Sequence, residues 1–263
     1  MSDTLLSPDE PAPFTVVNPE GASPFLLICD HAGKRIPRRL GTLGLPPAEI
    51  ERHIGWDIGA LPVAEQLSEL LDATLISQTW SRLVIDCNRP PAAVSSIPLV
   101  SEATDIPGNQ GLSAAQKRAR QQEIFTPYHE EIRRILAQRR LRGQATCIIS
   151  VHSFTPVYLD IPRPWHIGLL YHRLPAYPQA LLAQLNAQHR WVVGDNQPYS
   201  VSDETDYAIP QHAEKNGYPS VAIEIRQDLI TAAEGQTAWA QALAPLLQAA
   251  WQNYRKEHDG LSA

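Results

Sequence analysis

The chain has 263 residues, which is enough for one large α/β domain or two small ones, and a domain of this size needs no disulfide or metal ion to fold. Its 22 basic and 28 acidic residues give a formal charge of −6, which argues against a protein that binds nucleic acid through its overall field. Three cysteines form no disulfide framework, and no apolar stretch reaches the roughly 18 residues of a membrane span. The N-terminus also lacks the basic and apolar regions of a secretion signal, so we expect a cytoplasmic protein without a nucleic-acid or membrane partner.

Short apolar runs alternate with longer segments of helical spacing along the chain. The runs predict strands at 25–30, 73–78, 83–88, 146–152, 166–172, 190–195 and 220–226. Helical spacing covers 58–72, 113–142, 176–189, 203–216 and 232–256, and Pro127 is expected to kink or interrupt the second of these. The alternation predicts a single α/β domain over 14–263, with a mixed, mostly parallel sheet and helices on both faces, after a flexible tail at 1–13.

One long segment between these elements has no convincing periodicity. It covers residues 90–112 and contains several prolines and serines. Loops of this length are uncommon inside compact domains and often cover a binding site. Two interpretations stay open, namely a loop over a site and a disordered excursion.

Two of the predicted strands end in a histidine. The run 25–29 leads into His31, and the run 146–151 leads into His152. Ligand sites of open α/β sheets lie at the carboxyl ends of strands, so two parallel neighbours would bring both imidazoles to the same edge. Each histidine alone could be an ordinary core or turn residue, but the two together could bind one metal ion.

Asp57 comes just before the predicted helix at 58–72. Asp is a preferred residue at a helix N-cap, and on local grounds the cap is the simpler interpretation. A carboxylate that joined the two imidazoles would instead complete the two-histidine, one-carboxylate set that catalytic zinc favours, with the fourth position left to water.

The segment SRLVIDCNRP places ionic groups in an apolar run. If 83–88 is a strand, Asp86 and Asn88 share one face, and a buried Asp86 carboxylate needs a partner. One interpretation pairs it with an arginine that locks the strand in place. The other makes Arg82, Asn88 and Arg89 a fork for a substrate carboxylate, because a guanidinium group donates two parallel hydrogen bonds.

The last predicted strand carries a carboxylate and a guanidinium group on one face of an otherwise apolar segment. Glu224 and Arg226 either pair with each other, or Glu224 is poised as a proton carrier. His212 leads into this strand and is a further candidate for the same pocket.

Six motifs follow one another between about residues 25 and 228: CDHAG, GWDIGA, SRLVIDCNRP, PYHEEIRRIL, SVHS and AIEIRQDL. In this order the set closely resembles the N-formylglutamate amidohydrolase family. The resemblance implies the phosphorylase/hydrolase-like α/β fold, which is related to zinc carboxypeptidases. It also implies metal-dependent hydrolysis of an anionic N-acyl amino acid, foremost N-formyl-L-glutamate, with Zn²⁺ or another divalent metal as cofactor.

The resemblance also implies roles for the metal ligands. His31 and His152 match the metal-binding histidines of the family, and Asp57 becomes the expected third ligand, with Asp86 as the alternative. After His31 the chain reads AGKRIP, so it lacks the HxxE ligand spacing of carboxypeptidases, and the carboxylate ligand must come from elsewhere in the chain.

The remaining site residues are expected to act on the substrate. Glu224 matches the acidic residue on the last strand of the family and is the expected proton acceptor. Arg82 is expected to polarise the scissile carbonyl. The expected substrate-binding residues are Asn88, Arg89, Arg226 and His212.

Two other functions stay open. A metal-free amidase would use Cys29 or Cys87 as nucleophile with a nearby histidine. A non-catalytic protein would bind a partner through the basic segment 113–142, where eight lysines and arginines stand against three glutamates. Such a run is more commonly a solvated helix face.

Overall fold

The structure is a computed structural model that describes residues 4–259. The strands are β1 (Phe14–Val17), β2 (Phe25–Cys29), β3 (Thr74–Gln78), β4 (Val100–Ser101), β5 (Thr104–Asp105), β6 (Cys147–Phe154), β7 (Val157–Tyr158), β8 (Ile161–Pro162), β9 (Ile167–Leu170), β10 (Val193–Asp195) and β11 (Ser220–Arg226). The α-helices are α1 (Pro47–Ile50), α2 (Ala60–Leu71), α3 (Ala114–Arg120), α4 (Thr126–Leu141), α5 (Ala176–Ala187) and α6 (Ala233–Asp259). No helix in this part of the chain is both long and apolar enough to cross a membrane.

Seven strands form one sheet in the order β1-β3-β2-β6-β11-β9-β10. The four central strands β3, β2, β6 and β11 are parallel, whereas β1 and β9 each run antiparallel to their inner neighbour. Two small hairpins, β4–β5 and β7–β8, lie outside this sheet. The predicted fold class, a single-domain α/β fold with a mixed and mostly parallel sheet, is confirmed.

Helices cover both faces of the sheet. Leu27 of β2 belongs to a core formed with α2, α5 and α6, whereas Leu26 and Ile28 of the same strand belong to a second core with α4. Successive side chains of a strand point to opposite faces, so a strand buried on both sides is an uninterrupted apolar run. This explains why the central strands were predictable from the sequence.

The predicted strand at 83–88 is wrong, because this segment forms buried turns. Its backbone finds partners outside any sheet: the side-chain amide of Asn109 donates to the carbonyl of Leu83 at 2.9 Å, and the backbone amide of Asp86 donates to the carbonyl of Ser96 at 2.8 Å. The edge of β3 is already occupied by β1, a strand that the sequence analysis missed. The periodicity of a short apolar run cannot distinguish these cases.

The predicted helix at 113–142 is confirmed, with a local change near Pro127. Residues Gln121–Phe125 form a π-helical turn between α3 and α4, and the amide of Thr126 bonds to the carbonyl of Gln121, five residues back. The wider turn directly precedes Pro127, which has no amide to donate to the preceding turn.

The predicted helix at 203–216 is only partly correct. Helical turns cover Ile209–Ala213 (π) and Glu214–Asn216 (3-10), but 203–207 has no helix. The side chain of Asp206 accepts hydrogen bonds from the Ser202 amide and the Thr205 hydroxyl. Local side-chain bonds of this kind compete with helix formation.

The N-terminal segment contacts the domain from the first described residues onward. Leu5 is buried in the second core, and the amides of Leu5 and Leu6 donate to the carboxylate of Glu123 at 2.7 and 2.8 Å. Residues 1–3 of the predicted tail lie outside the described residues.

The topology gathers several loops at the edge of the sheet where β2, β6 and β11 end. Because β9 runs antiparallel to β11, the connection from β6 to β9 stays at this edge and forms the β7–β8 hairpin. The long segment 90–112, which contains the β4–β5 hairpin, reaches the same cavity through Ser95, Pro98, Val100, Ser101 and Glu102. This favours the interpretation of 90–112 as a loop over a site.

Candidate active site

A cavity of about 660 Å³ opens at this edge of the sheet. It contains most of the residues that the sequence analysis selected, although they are distant along the chain. These lining residues are His31, Asp57, Arg82, Asp86, Asn88, Arg89, His152 and Glu224.

Two imidazoles and one carboxylate converge at the base of the cavity. His31 follows β2 and His152 lies on the parallel neighbour β6, and their ring centroids are 5.0 Å apart. The Oδ2 atom of Asp57 lies 3.4 Å from Nδ1 of His31 and 2.8 Å from Nδ1 of His152. Each residue offers one ligand atom, and these three atoms lie within 4.8 Å of one another. All three side chains are buried.

Asp57 owes its position to a turn rather than to helix capping. The N-cap of α2 is Gly59, with φ of 79° and no side-chain cap bond. This left-handed conformation favours glycine, and a Cβ atom at residue 59 would lie 2.1 Å from the carbonyl oxygen of Ile230. The amide of Asp57 donates to the carbonyl of His31 at 2.9 Å, which holds the carboxylate beside the imidazoles. The cap interpretation of Asp57 is therefore wrong.

The Nε2 atom of each imidazole, on the side of the ring away from Asp57, also has an acidic neighbour. Nε2 of His31 lies 2.7 Å from Oδ1 of Asp86, and Nε2 of His152 lies 2.8 Å from Oγ of Ser150 and 3.5 Å from Oδ2 of Asp30. Such outer carboxylates fix the tautomer and orientation of metal-binding histidines. Asp86 lies on the outer side of His31, so the arrangement favours Asp57 over Asp86 as the third ligand.

The donor set fits a divalent cation. Nδ1 of His31 is buried and has no hydrogen-bond partner, which is costly for a polar atom unless a ligand satisfies it. Burial alone would raise the pKa of Asp57, but the imidazoles of His31 and His152 hold it well below its ordinary value, so the carboxylate is ionised. Two imidazole nitrogens and one carboxylate match the ligands of catalytic zinc.

Glu224 faces the same space from β11. It is the paired neighbour of His152 on the adjacent parallel strand, and its Oε2 atom is buried without a partner. Burial raises the pKa of Glu224 to about 7, although the His152 charge opposes this. The alternative of a Glu224–Arg226 pair is not observed, because Arg226 binds Asp228 at 2.8 Å.

A glycine beside Glu224 lets a further loop reach the cavity. Gly168 is the paired neighbour of Glu224 on β9, and a Cβ atom there would lie 1.9 Å from the carbonyl oxygen of Gln197. The chain at Gln197 therefore passes close to β9 beside Glu224, and Tyr199, two residues further on, lies on the cavity wall. Tyr199 and His53, which lie on loops, and Tyr158, which lies on the two-residue strand β7, were not predicted from the sequence, because such short or irregular segments carry no periodic signal.

The arginine fork combines structural and site contacts. Arg82 bonds to Asp86 at 2.9 Å and lies 3.4 Å from Asp57, so the predicted pairing of Asp86 with an arginine is observed. Arg82 also lines the cavity. The Oδ1 atom of Asn88 accepts hydrogen bonds from the amides of Tyr207 and Ala208, each at 3.0 Å. It thus fixes the loop that precedes the second π-helical turn.

The guanidinium group of Arg89 has a different set of partners. It donates to the carbonyls of Asn88, at 3.1 Å, and Thr205. These partners are neutral, and no carboxylate of residues 4–259 lies within 4.0 Å of the guanidinium nitrogens.

Comparison with known proteins agrees with this geometry. The model of the N-formylglutamate amidohydrolase family matches residues 23–231. The chain belongs to this family. It is thus a hydrolase that acts on an amide bond, and the resemblance seen in the sequence is confirmed.

Two solved structures are similar to this amidohydrolase. A gene product of Agrobacterium tumefaciens is 38% identical, with a TM-score of 0.92 over 95% of this chain and 98% of that chain. An N-formylglutamate amidohydrolase from Ralstonia eutropha JMP134 is 22% identical, with a TM-score of 0.69 over 94% of this chain and 99% of that chain. No curated protein matches the chain.

Two predicted substrate-binding residues of the amidohydrolase do not line the cavity. Arg226 is engaged with Asp228, and His212 is buried against His129, with 2.9 Å between Nε2 of His212 and Nδ1 of His129. Burial lowers the pKa of His212 to about 3, and the neighbouring His129 adds to this effect. His212 thus belongs to the core beneath the site.

The candidate cysteine nucleophiles are also outside the cavity. Cys29 and Cys87 are buried, and burial raises the pKa of both thiols well above its ordinary value. Reactive cysteines need an accessible site that stabilises the thiolate. The geometry does not favour a metal-free cysteine amidase.

The basic segment 113–142 is less basic at its surface than its sequence indicates. Arg120 is buried and donates to the carbonyl of Val84 at 2.8 Å, and Arg139 is buried and donates to the carbonyl of Ser23 at 2.7 Å. Both cations hold neighbouring segments together, so they are not part of an exposed polyanion-binding face.

Proposed function

We propose that this amidohydrolase cleaves an anionic N-acyl amino acid in a metal-dependent reaction, with N-formyl-L-glutamate as substrate and formate and L-glutamate as products. The observation that carries the proposal is the convergence of His31, Asp57 and His152 beside Glu224. When bound there, Zn²⁺ or another divalent cation would activate a water molecule and polarise the amide carbonyl.

The residues that would hold the cation are Nδ1 of His31, Nδ1 of His152 and the carboxylate of Asp57. The unpartnered nitrogen of His31 and the outer contacts to Asp86 and Ser150 support this assignment. Histidine and carboxylate ligands accept several divalent metals, so zinc is proposed on the donor set alone.

Glu224 would carry the proton in this reaction. It accepts a proton from the water molecule whose oxygen bonds to the amide carbon, and it returns that proton to the nitrogen when the carbon–nitrogen bond breaks. A base with a pKa near the working pH is the most effective one, and the raised pKa of Glu224, about 7, supports this role.

Arg82 would stabilise the negative oxygen that develops on the carbonyl. Its contacts with Asp57 and Asp86 hold the guanidinium group at the cavity wall, 25% exposed. One such donor is typically worth about 10²–10³-fold in rate. Arg89 would bind a substrate carboxylate, while Asn88 would position the loop that contacts Arg89.

A small-molecule substrate, a cytoplasmic location and the lack of a nucleic-acid or membrane partner complete the proposal. The cavity size supports the small-molecule substrate, the net negative charge supports the lack of a nucleic-acid or membrane partner, and the three free cysteines support the cytoplasmic location.

Metal analysis combined with a substrate panel tests the proposal. The purified full chain is stripped with a chelator, and formate, acetate or succinate release is measured from N-formyl, N-acetyl and N-succinyl amino acids before and after adding Zn²⁺. We expect no turnover without metal and recovery at one equivalent per chain, with N-formyl-L-glutamate preferred. Full activity of the stripped protein would contradict metal dependence, and no turnover of any substrate with metal would contradict the proposed reaction.

A further inference from the structure

His53 is a histidine of the cavity wall to which the proposed reaction assigns no role. It lies in the turn that follows α1, and its side chain is 21% exposed. Nε2 of the ring is enclosed and has no hydrogen-bond partner, whereas Nδ1 is neither enclosed nor bonded to another of residues 4–259. Polar groups on a cavity wall that have no protein partner are the ones that can bind a ligand.

The backbone holds His53 close to the candidate metal ligands. The amide of Gly55 donates to the carbonyl of Arg52 at 2.9 Å, and the hydroxyl of Ser81 donates to the carbonyl of Gly55 at 2.7 Å. A Cβ atom at residue 55 would lie 2.3 Å from the last carbonyl oxygen of α1, so this tight turn has no room for a side chain. The same segment continues to Asp57, and the side chains of His53 and Asp57 line one cavity.

The carboxylate of Glu102 faces one edge of the His53 ring. Its Oε1 atom lies 3.6 Å from Nε2 of His53, and its Oε2 atom pairs with Arg52, the preceding residue of the chain. Glu102 is at the tip of the β4–β5 hairpin, with a φ of 54° that is uncommon for a residue other than glycine. Arg52 also bonds to Thr104 of this hairpin at 3.1 Å. One carboxylate thus bridges two consecutive residues and fastens the hairpin beside His53.

The charges around His53 favour one form of its ring. Burial lowers the pKa of His53, and the neighbouring carboxylate of Glu102 only partly opposes this effect. Three nearby cations act in the same direction as burial, namely Arg52, Arg82 and Arg163. The imidazole is therefore neutral at neutral pH and carries one proton. The carboxylate of Glu102 attracts that proton to Nε2, which leaves a lone pair on Nδ1 as a hydrogen-bond acceptor.

The substrate of the proposed reaction has a single group that such an acceptor can bind. The carboxylates and the acyl carbonyl of N-formyl-L-glutamate only accept hydrogen bonds. The N–H of the scissile amide is the one donor of this molecule. The group that complements Nδ1 of His53 is therefore the amide N–H.

We propose that Nδ1 of His53 accepts the N–H of the scissile amide and that Glu102 is the positioning residue that orients the ring for this contact. The inference rests on the proposed hydrolysis of an N-acyl amino acid. The contact fixes the orientation of the nitrogen, to which Glu224 returns a proton when the carbon–nitrogen bond breaks. The site then binds secondary amides in preference to tertiary amides and esters, which have no N–H.

Two substitutions separate the two edges of the His53 ring. His53→Asn places an amide oxygen where Nδ1 lies, whereas His53→Gln reaches toward Glu102 and leaves the Nδ1 position empty. The ratio kcat/KM is measured for N-formyl-L-glutamate and for the ester in which oxygen replaces the N–H. A hydrogen bond between neutral groups is worth about 3–10-fold. We expect His53→Gln to lower kcat/KM by this factor for the amide alone, and His53→Asn to retain most of the activity on the amide.

His172→Gln is the matched control, because His172 also faces a carboxylate, that of Glu214 at 3.8 Å, but neither residue is among those that line the cavity. It should leave both substrates unchanged. Equal losses on amide and ester in His53→Gln would show that His53 only supports the hairpin, and would overturn the proposal. Unchanged kinetics in His53→Gln would overturn it as well.

The role of Glu102 is tested by Glu102→Gln. The neutral amide no longer attracts the ring proton to Nε2, so the preference for the amide substrate over the ester should fall in the same direction as in His53→Gln. Nitrogen chemical shifts of the His53 ring, measured by NMR, should place the proton on Nε2 in the wild type. An unchanged preference in Glu102→Gln, or a proton on Nδ1 in the wild type, would contradict the positioning role.

Equilibrium binding separates this inference from the proposed reaction. N-formyl-L-glutamate and the ester are titrated calorimetrically into the metal-stripped wild type, His53→Gln and His172→Gln. A preference for the amide of about 3–10-fold that is lost in His53→Gln alone supports the contact even if no amide is hydrolysed. A wild type that does not prefer the amide over the ester overturns the contact even if the enzyme is an active amidohydrolase.

Discussion

Nε2 of His31 lies 2.7 Å from Oδ1 of Asp86, while Nδ1 of the same ring faces Asp57. When Nε2 carries the proton that Asp86 accepts, Nδ1 keeps its lone pair for a cation. Asp86 therefore determines which nitrogen of His31 is available to bind a cation, although Asp86 is not one of the three candidate ligands. This relationship makes Asp86 a positioning residue with a measurable effect on metal affinity.

Asp86→Asn should weaken metal binding without preventing the fold, because the amide preserves the shape of the side chain but loses the charge that orients His31. Removing an outer partner typically costs about 10–100-fold in metal affinity. Competition with a chromophoric chelator measures this change. Asp228→Asn, which removes a carboxylate that binds Arg226 away from the cavity, is the control and should bind zinc like the wild type. Unchanged affinity in Asp86→Asn would contradict the positioning role.

Glu224→Gln should retain the metal and lose turnover. The amide cannot accept the proton from water, and general acid–base catalysis typically contributes about 10²–10⁴-fold to the rate. His152→Ala should lose metal and activity together, because it removes one of the three donors. Metal content and kcat are measured on the same preparations. A Glu224→Gln enzyme as active as the wild type would remove Glu224 from its assigned role.

Gly59→Ala should destabilise the fold near Asp57. The left-handed φ of 79° disfavours alanine by about 1–2 kcal/mol, and the added Cβ atom would also meet the carbonyl oxygen of Ile230 at 2.1 Å. Gly111→Ala is the control, because its φ is also positive, at 63°, but no atom lies within 4 Å of the added Cβ. Denaturant unfolding should show a larger loss for residue 59. Equal losses would mean that the contact with Ile230 is relieved without cost.

Acid should destabilise the protein through the buried pair of His129 and His212. Burial lowers the pKa of His129 to about 4 and that of His212 to about 3, whereas both are near 6.5 in the unfolded chain. Below about pH 6.5 the unfolded state therefore binds more protons than the folded state. The contribution of this pair to the free energy of unfolding is complete above that pH and declines as the pH falls toward 4. The slope approaches about 1.4 kcal/mol per pH unit for each histidine.

Unfolding free energies measured between pH 7.5 and 4.5 check this expectation. His212→Gln should reduce the slope by the share of one histidine, whereas substitution of the exposed His189 should leave it unchanged. A slope in His212→Gln that equals that of the wild type would show that burial does not hold the His212 imidazole neutral.

The sequence was most informative where a side chain follows directly from a strand. His31 and His152 could be placed because apolar runs end at them, and parallel pairing of β2 and β6 then brings them together. Glu224 interrupts a buried strand, which marks it as unusual. These signals are local, and the sheet topology converts them into a site.

Other features depend on contacts that no local pattern contains. The segment 83–88 resembles a strand, but β1 occupies the edge that it would need. Arg163 and Tyr199 lie on loops, and their meeting depends on the reversed direction of β9 and on the missing side chain of Gly168. Their contact could be seen only from the folded chain.

The reversal of β9 also has a practical consequence for engineering. The connection between Phe154 and Ile167 starts and ends at the same edge of the sheet, so it does not have to cross from one edge to the other. Protein engineers could exchange this connection for one of a different length or sequence without changing the strands of the sheet. It is the natural place to graft new selectivity onto the enzyme.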